Sequence, residues 1–489
     1  MPVKAFISNQ VRAFDDMVSR LGVARRQVFA LLFLGIVYAA FEGIGIGMLL
    51  PLLQYLERGA AYFGENPDSS IVHVAETAVE ALGLPSPIPA LFAFAFVPIL
   101  ARQAFRYVYQ VYAGRLRFRA VANLRTRGFA SSLTASLDYF IKEGHARLVN
   151  ALTSEVERGV LAFPLFLNLY ENVILLIVYL ALLLVLAPKL FPITMVAVAL
   201  VALVVRKRIV KTRAFGIEVS CANEAFHRVV AERFAGIRLV KLRGQEHAEK
   251  EKVGKIVAGM THSLHGISRM REGLEACIAP IMVLSAFGTL YVAISRFGMS
   301  LASLGMYTVV LLRIDPLLRQ VQAARQGLSA HVDSLKAVHV LIEKATSASD
   351  MTSGHVKFGG LQKEIVFDEV SFAYANNKDT ALRDISFTAA RGSWTAIVGR
   401  SGAGKSTLLD LIPRLREATA GKIMIDGLPI QALDLGSLRR AVTMVDQYGF
   451  LFNDSIRNNI AYGIGQVYEE EIEEAARQAH AHEFIRELP

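Results

Sequence analysis

The chain has 489 residues, 53% of them hydrophobic and only 20% charged, with a mean hydropathy of +0.39. That composition excludes an ordinary soluble protein of this size, and the presence of only two cysteines, Cys221 and Cys277, excludes a disulfide scaffold and leaves both as free thiols. The formal charge of +10 does not collect in one patch, and no motif supports a nucleic-acid partner.

Residues 1–26 lack the charged, then apolar, then small layout of a cleavable signal peptide. Phe6, Val11, Phe14, Met17 and Leu21 recur at helical spacing among Arg12, Arg20, Arg25 and Arg26. That suits an interfacial amphipathic helix leading into a first membrane span, and equally a plain cytosolic helix. Within 27–343, apolar stretches of about 18 residues or more fall near 27–54, 88–113, 161–186, 190–206, 276–296 and 299–325. Only Ala187-Pro188-Lys189 parts the third from the fourth, and only Arg296-Phe297-Gly298 parts the fifth from the sixth. Both pairs are expected to form tight hairpins on one side of the membrane. The loop after the first span carries Glu57, Glu65, Asp68, Glu76 and Glu80 against a lone Arg58. By contrast, 114–160 and 206–275 are rich in arginine and lysine. This asymmetry predicts a multi-pass protein of the cytoplasmic (inner) membrane, with its N-terminus, both long connections and everything beyond the sixth span in the cytosol.

The long connections 115–160 and 206–275 keep helical periodicity, so the spans are expected to continue as helices well outside the bilayer. At their turning points, Ser136-Leu-Asp-Tyr-Phe140 and Ala231-Glu-Arg-Phe-Ala-Gly-Ile-Arg-Leu-Val240 are short amphipathic turns. They suit docking on a partner domain or simple connection. Charges also occur at bilayer depth: Glu42, then Arg102 and Arg106 on one helical face, Glu171, and Arg313-Ile-Asp315-Pro316 with Arg319. Two readings stand side by side. The charges pair internally, for example Glu42 with Arg102 and Asp315 with Arg313. Alternatively Glu42, Arg102, Arg106, Arg313 and Arg319 line a cavity for a phosphate-bearing lipid, since guanidinium forks match phosphate oxygens.

Helical pattern runs to about Lys344, and 344–360 reads as a flexible linker built around Ala345-Thr-Ser-Ala-Ser-Asp-Met-Thr-Ser-Gly354. Strands are expected over Glu364–Tyr374, Leu382–Thr388 and Ser393–Gly399, the last a short buried strand. It feeds Gly399-Arg-Ser-Gly-Ala-Gly-Lys405-Ser406-Thr407, which fits G-x-x-x-x-G-K-[ST] and is followed by a helical pattern. Glycines let such a loop curl tightly, and the helix N-terminus adds its positive dipole end. Gly399, Ser401, Gly402, Ala403, Gly404, Lys405, Ser406 and Thr407 are thus the candidate phosphate-binding residues. Lys405 reaches the terminal phosphates and Ser406 meets Mg²⁺.

Six spans, long cytosolic helices and a phosphate loop together resemble an ABC exporter half-transporter. The resemblance covers the whole chain: a membrane all-α six-helix exporter domain followed by a partial α/β P-loop NTPase domain over 361–489. It places Tyr374 where the family stacks adenine, makes Gly421-Lys-Ile-Met-Ile-Asp-Gly427 similar to the family's strand pair, and makes Val445-Asp446-Gln447 similar to its Q-loop. By that resemblance Gln447 serves catalysis and Mg²⁺, and the aromatics in Phe450-Leu-Phe-Asn-Asp-Ser-Ile-Arg-Asn-Asn-Ile460 receive docking helices of the membrane domain. It implies an ATP-driven transporter ATPase acting as a homodimer, or with a paralogous half-transporter, within membrane lipid. Glu42 ahead of Pro51, Arg102 and Arg313-x-x-Pro316-x-x-Arg319 are similar to lipid and lipid-linked oligosaccharide flippases. A multidrug or peptide exporter is the alternative substrate reading. An ATP-gated or regulatory membrane protein is the alternative of another class. The family's signature loop, its Asp-Glu strand (Walker B) and its switch histidine are not found before Pro489. A fragment unable to hydrolyse ATP alone, with apolar strand surface left bare, is therefore expected.

Overall fold

The computed structural model describes residues 15–58, 77, 87–297, 299–348, 351–374, 380–445 and 449–488. The expected amphipathic helix over 1–14 and the acidic loop beyond Arg58, with Glu65, Asp68, Glu76 and Glu80, lie outside them; 15–21 is helical. The chain forms two compact units, one of Met1–Leu133 with Gly144–Ser347, the other of Thr134–Glu143 with Ala348–Pro489.

The first unit is all helix: α1 (Arg25–Gly47), α2 (Leu49–Arg58), α3 (Pro87–Leu133), α5 (His145–Leu186), α6 (Phe191–Ala235), α7 (Ile237–Leu242), α8 (Glu246–Phe297) and α9 (Leu301–Ser347), while α4 (Leu137–Glu143) belongs to the second. At 1.5 Å per residue, α3 and α9 are each about 70 Å long, more than twice the roughly 30 Å hydrocarbon core. The spans do continue as helices beyond bilayer length. Among the described residues, four helical stretches are long and apolar enough to cross a membrane: Arg25–Glu57, Ile88–Leu133, His145–Leu186 and Leu301–Arg325. The other two expected spans fall in α6 and α8, where the side chains of 201–214 are outside the description and Val283–Phe297 is a shorter apolar stretch. Leucine and phenylalanine left bare on α1, α3 and α8, such as Phe33, Phe96 and Leu284, suit a lipid-facing surface.

Two apolar clusters run along the bundle. One joins Tyr38, Leu183, Val310 and Ile314; the other joins Leu31, Leu116, Val156 and Val338. A small residue is needed where α5 meets α9: a Cβ on Gly159 would lie 2.9 Å from the backbone N and Cα of Leu335. Glu57, at the end of α2, accepts the backbone N–H groups of Leu301 and Ala302 at 3.2 and 3.0 Å, capping α9 with a negative charge at its positive end. The α5–α6 turn lies close to the end of α8, with Lys189 Nζ 5.4 Å from the Phe297 ring centroid. Helices α6 and α8 pack chiefly on each other.

The second unit holds an antiparallel sheet in the order β2-β1-β3-β4, from β1 (Glu364–Ala373), β2 (Thr380–Ala390), β3 (Ala420–Ile425) and β4 (Leu428–Pro429). Phe367 sits opposite Phe387 on one side and Ile423 on the other, and the Phe367 and Phe387 rings stack 4.5 Å apart. Asp426 and Gly427, both with positive φ, make the two-residue hairpin turn between β3 and β4. Helices α10 (Lys405–Leu411), α11 (Leu435–Ala441), α12 (Ile456–Ile460), α13 (Glu469–Gln478) and α14 (His482–Arg486) complete the unit. Leu408 and Leu411 of α10 pack onto the core of the sheet.

Two expectations are corrected here. Ser393–Gly399 is exposed and has no strand pairing, so it is not a buried strand, with Trp394 102% and Val398 90% accessible. A strand exists only through a neighbour's hydrogen bonds, and the four strands described pair with one another and leave this segment none. The supposed flexible linker is shorter than 344–360: α9 runs to Ser347, and Gly354 and Val356 donate to Leu433 and Ala432 carbonyls at 3.0 Å each.

Candidate functional site

The phosphate loop takes its shape from glycine. Gly402 and Gly404 have φ of +83° and +87°, and a Cβ at Gly404 would meet Leu382 Cδ2 at 2.7 Å and the Ala381 carbonyl oxygen at 2.8 Å. Only glycine brings this turn so close to β2 while turning the chain into α10. The first-turn N–H groups of a helix have no intrahelical acceptor, and α10 begins at Lys405, directly after this loop. Lys405 Nζ lies over the loop and donates to the Gly399 and Arg400 carbonyls at 2.9 Å each. Gly399, Ser401, Gly402, Ala403, Gly404, Lys405 and Ser406 thus lie together in one tight turn at the start of α10. Among the described residues no cluster of three His, Cys, Asp or Glu side chains could hold a metal ion. Gln447 lies outside the described residues.

Tyr374 belongs to the same site. Its hydroxyl shares a 2.8 Å hydrogen bond with Thr407 Oγ1 of α10, and Phe372 meets its ring edge-on at 5.0 Å. The Thr407 contact ties the ring to the first turn of α10. Arg416, which no motif singled out, lies with its guanidinium carbon 4.7 Å from the Tyr374 ring centroid. A charge in a turn after an apolar helix reads from sequence as a solvated residue, so nothing in the pattern marks this one.

In the first unit, a cavity of about 270 Å³ is lined by Glu42, Arg102, Arg106, Glu171, Tyr179 and Arg313 among others. Glu42 is 2% exposed. Its Oε1 accepts from Tyr179 Oη at 2.6 Å and from Arg313 Nη1 at 2.7 Å. Arg102 Nε stands 2.7 Å from Oε2 without hydrogen-bond alignment, a Coulombic contact. One carboxylate thus joins α1, α3, α5 and α9. The expected Glu42–Arg102 pair is present. The Asp315–Arg313 pair is not: Arg313 goes to Glu42, while Asp315 pairs with Arg319 one turn on. Residues four apart share a helical face, whereas those two apart do not. Arg319 is not among the cavity's lining residues. Tyr179, absent from the expected set, carries no signal distinguishing it from any apolar-span tyrosine.

Apolar side chains are also bare at the α7 turn and near the end of the second unit. Every residue of α7 is unburied, with Leu242 74% exposed, and Phe234 before it is bare too. In the second unit Phe450, Leu451 and Tyr462 are exposed, Phe450 at 79%. The other turn behaves differently: Thr134–Glu143 groups with the second unit.

Two family models match the chain: the ABC transporter transmembrane region over 59–318 and the ABC transporter domain over 382–489. The chain is 29% identical to the heterocyst differentiation ATP-binding protein HepA of Nostoc sp., over all of this chain and 80% of that one. It is 31% identical to the ATP-dependent lipid A-core flippase of Methylobacillus flagellatus, over 57% of this chain and 47% of the relative, so that match spans about half the flippase's length. A solved structure of a bacterial Atm1-family ABC exporter with ATP bound superposes with a TM-score of 0.70 at 22% identity, over 96% of this chain and 79% of that one, a likeness of fold.

Proposed function

The chain belongs to the ABC transporter family, its membrane region preceding its ATP-binding domain, and on that premise we propose an ATP-driven exporter half-transporter that moves an anionic lipid or lipid-linked amphipath across the cytoplasmic membrane. The observation that carries the substrate reading is the cavity at span depth, where three guanidiniums face two carboxylates and Glu42 already occupies a guanidinium clamp in the way an anionic headgroup would. Its relatives named as lipid A-core flippases support the same class of cargo.

The working unit is a homodimer of six-span subunits with their ATP-binding domains in the cytosol. ATP is the driving substrate. The backbone donors of 399–407 and Lys405 hold its phosphates, and Tyr374 stacks on its base. The Ser406 hydroxyl and Gln447 would hold Mg²⁺, which when bound would neutralise charge on the transferring phosphoryl group. ATP does work through its greater affinity for one conformation than another, since a ligand indifferent to both shifts nothing.

The test is the ATPase rate of the full-length protein in nanodiscs. A polyprenyl-phosphate lipid is expected to stimulate it, and Lys405→Ala to abolish it. Stimulation by uncharged drug-like amphipaths but not by phosphate-bearing lipids would replace the lipid reading with multidrug export. A rate indifferent to every amphipath, with channel currents gated by ATP, would replace pumping altogether.

A further inference from the structure

Arg416 joins three parts of the second unit that the transport reading leaves separate. It is 5% exposed and follows the phosphate-loop helix. Its Nε donates to Asp410 Oδ2 of α10 at 3.1 Å, and its Nη1 donates to Asp138 Oδ1 of α4. The guanidinium carbon lies 4.7 Å from the Tyr374 ring centroid and 5.7 Å from that of Phe372. Segment 134–143 is held in this unit at its start by the Ser136 N–H, which donates to the Ala348 carbonyl at 2.7 Å. A buried guanidinium persists only with its charge paired, and here the pairing is divided between the nucleotide helix and α4.

We propose that Arg416 is a positioning residue that makes the docking of α4 depend on a base stacked against Tyr374. A base on the ring face turned away from Arg416 fixes the tilt of the ring. The ring in turn fixes the planar guanidinium on its other face, with the fork aimed at Asp138. With phosphates alone in the cradle no base presses on the outer face of the ring, and the Asp138 bond loosens. The inference rests on the nucleotide reading above and adds to it that the base, not the phosphate chain, is what α4 senses. Because coupling is reciprocal, a docked α4 must strengthen base binding by the same factor.

The test compares MgATP with inorganic tripolyphosphate on the full-length protein, reading affinity for each and hydrogen–deuterium exchange at 137–143. ATP should slow exchange there about fivefold and tripolyphosphate should not. Asp138→Asn, whose side chain is half exposed, should erase the ATP-specific protection and weaken ATP about fivefold while leaving tripolyphosphate unchanged. Arg416→Lys keeps the charge but not the planar stack, and should do the same; if it fails to fold, Asp138→Asn decides alone. Wild-type protection and a wild-type ratio of the two affinities in Asp138→Asn would overturn the proposal, as would equal protection by tripolyphosphate. Failure of the nucleotide reading has a separate signature: ATP binding untouched by Lys405→Ala and Tyr374→Ala.

Discussion

Glu42 is a carboxylate at bilayer depth with three close partners: the Tyr179 hydroxyl and the Arg313 guanidinium on one oxygen, and the Arg102 guanidinium beside the other. Such a group is more costly orphaned than absent. Replacing Arg102 and Arg313 together by glutamine should therefore destabilise the fold by about 3 kcal/mol or more, because a buried charge is left unpaired. Adding Glu42→Gln to that pair should restore most of the loss while removing stimulation by phosphate-bearing lipid. Thermal unfolding in detergent and lipid-stimulated ATPase separate the two effects. A triple variant as unstable as the double would show that the carboxylate is not what the arginines serve. The sequence exposed these charges because any charge in an apolar run stands out. It could not choose partners among them, since Arg313 and Asp315 are near in number but point to different helix faces.

At the scale of elements, what was legible followed from local pattern. Long helices, the two short hairpins and the phosphate loop rest on periodicity, spacing and glycine, all written within a few residues of where they act. The buried strand over Ser393–Gly399 failed for the opposite reason. Its apolar run is sound, but strand character is conferred by a partner far along the chain, and none of the described strands takes that place. The β1–β3 pairing illustrates a long-range tie invisible in sequence. The Asp426 carboxylate accepts N–H groups from Gln362, Lys363 and Glu364 across the sheet end, at 2.8, 2.6 and 3.1 Å. Those bonds, the one from Gln362 foremost, hold its pKa below the ordinary 3.8. A depressed carboxyl contributes stability in full above its unfolded pKa and loses it as pH falls through the lower folded value. Asp426→Asn should accordingly speed amide exchange at 362–364 near neutral pH, with the difference from wild type closing below the ordinary carboxyl range. A difference that persists unchanged in acid would mean the carboxylate charge contributes nothing there.

For the whole molecule, the bare surfaces argue for assembly. Helices α6 and α8 pack chiefly on each other, and the α7 turn between them buries nothing, although Phe234, Leu239 and Leu242 are apolar. Exposed apolar side chains clustered in this way mark an interaction surface. Leu242→Lys and Phe234→Lys should leave the isolated subunit as stable as wild type, because these residues contact little within it. The same substitutions should lower the dimer fraction seen by light scattering and, with it, ATPase stimulation by lipid. Surface changes with no intramolecular partner typically move stability by no more than about 0.5 kcal/mol, so a large loss of subunit stability would itself contradict the assignment. An undiminished dimer carrying both lysines would place the subunit contact elsewhere, and the apolar turn would then have to meet some other protein.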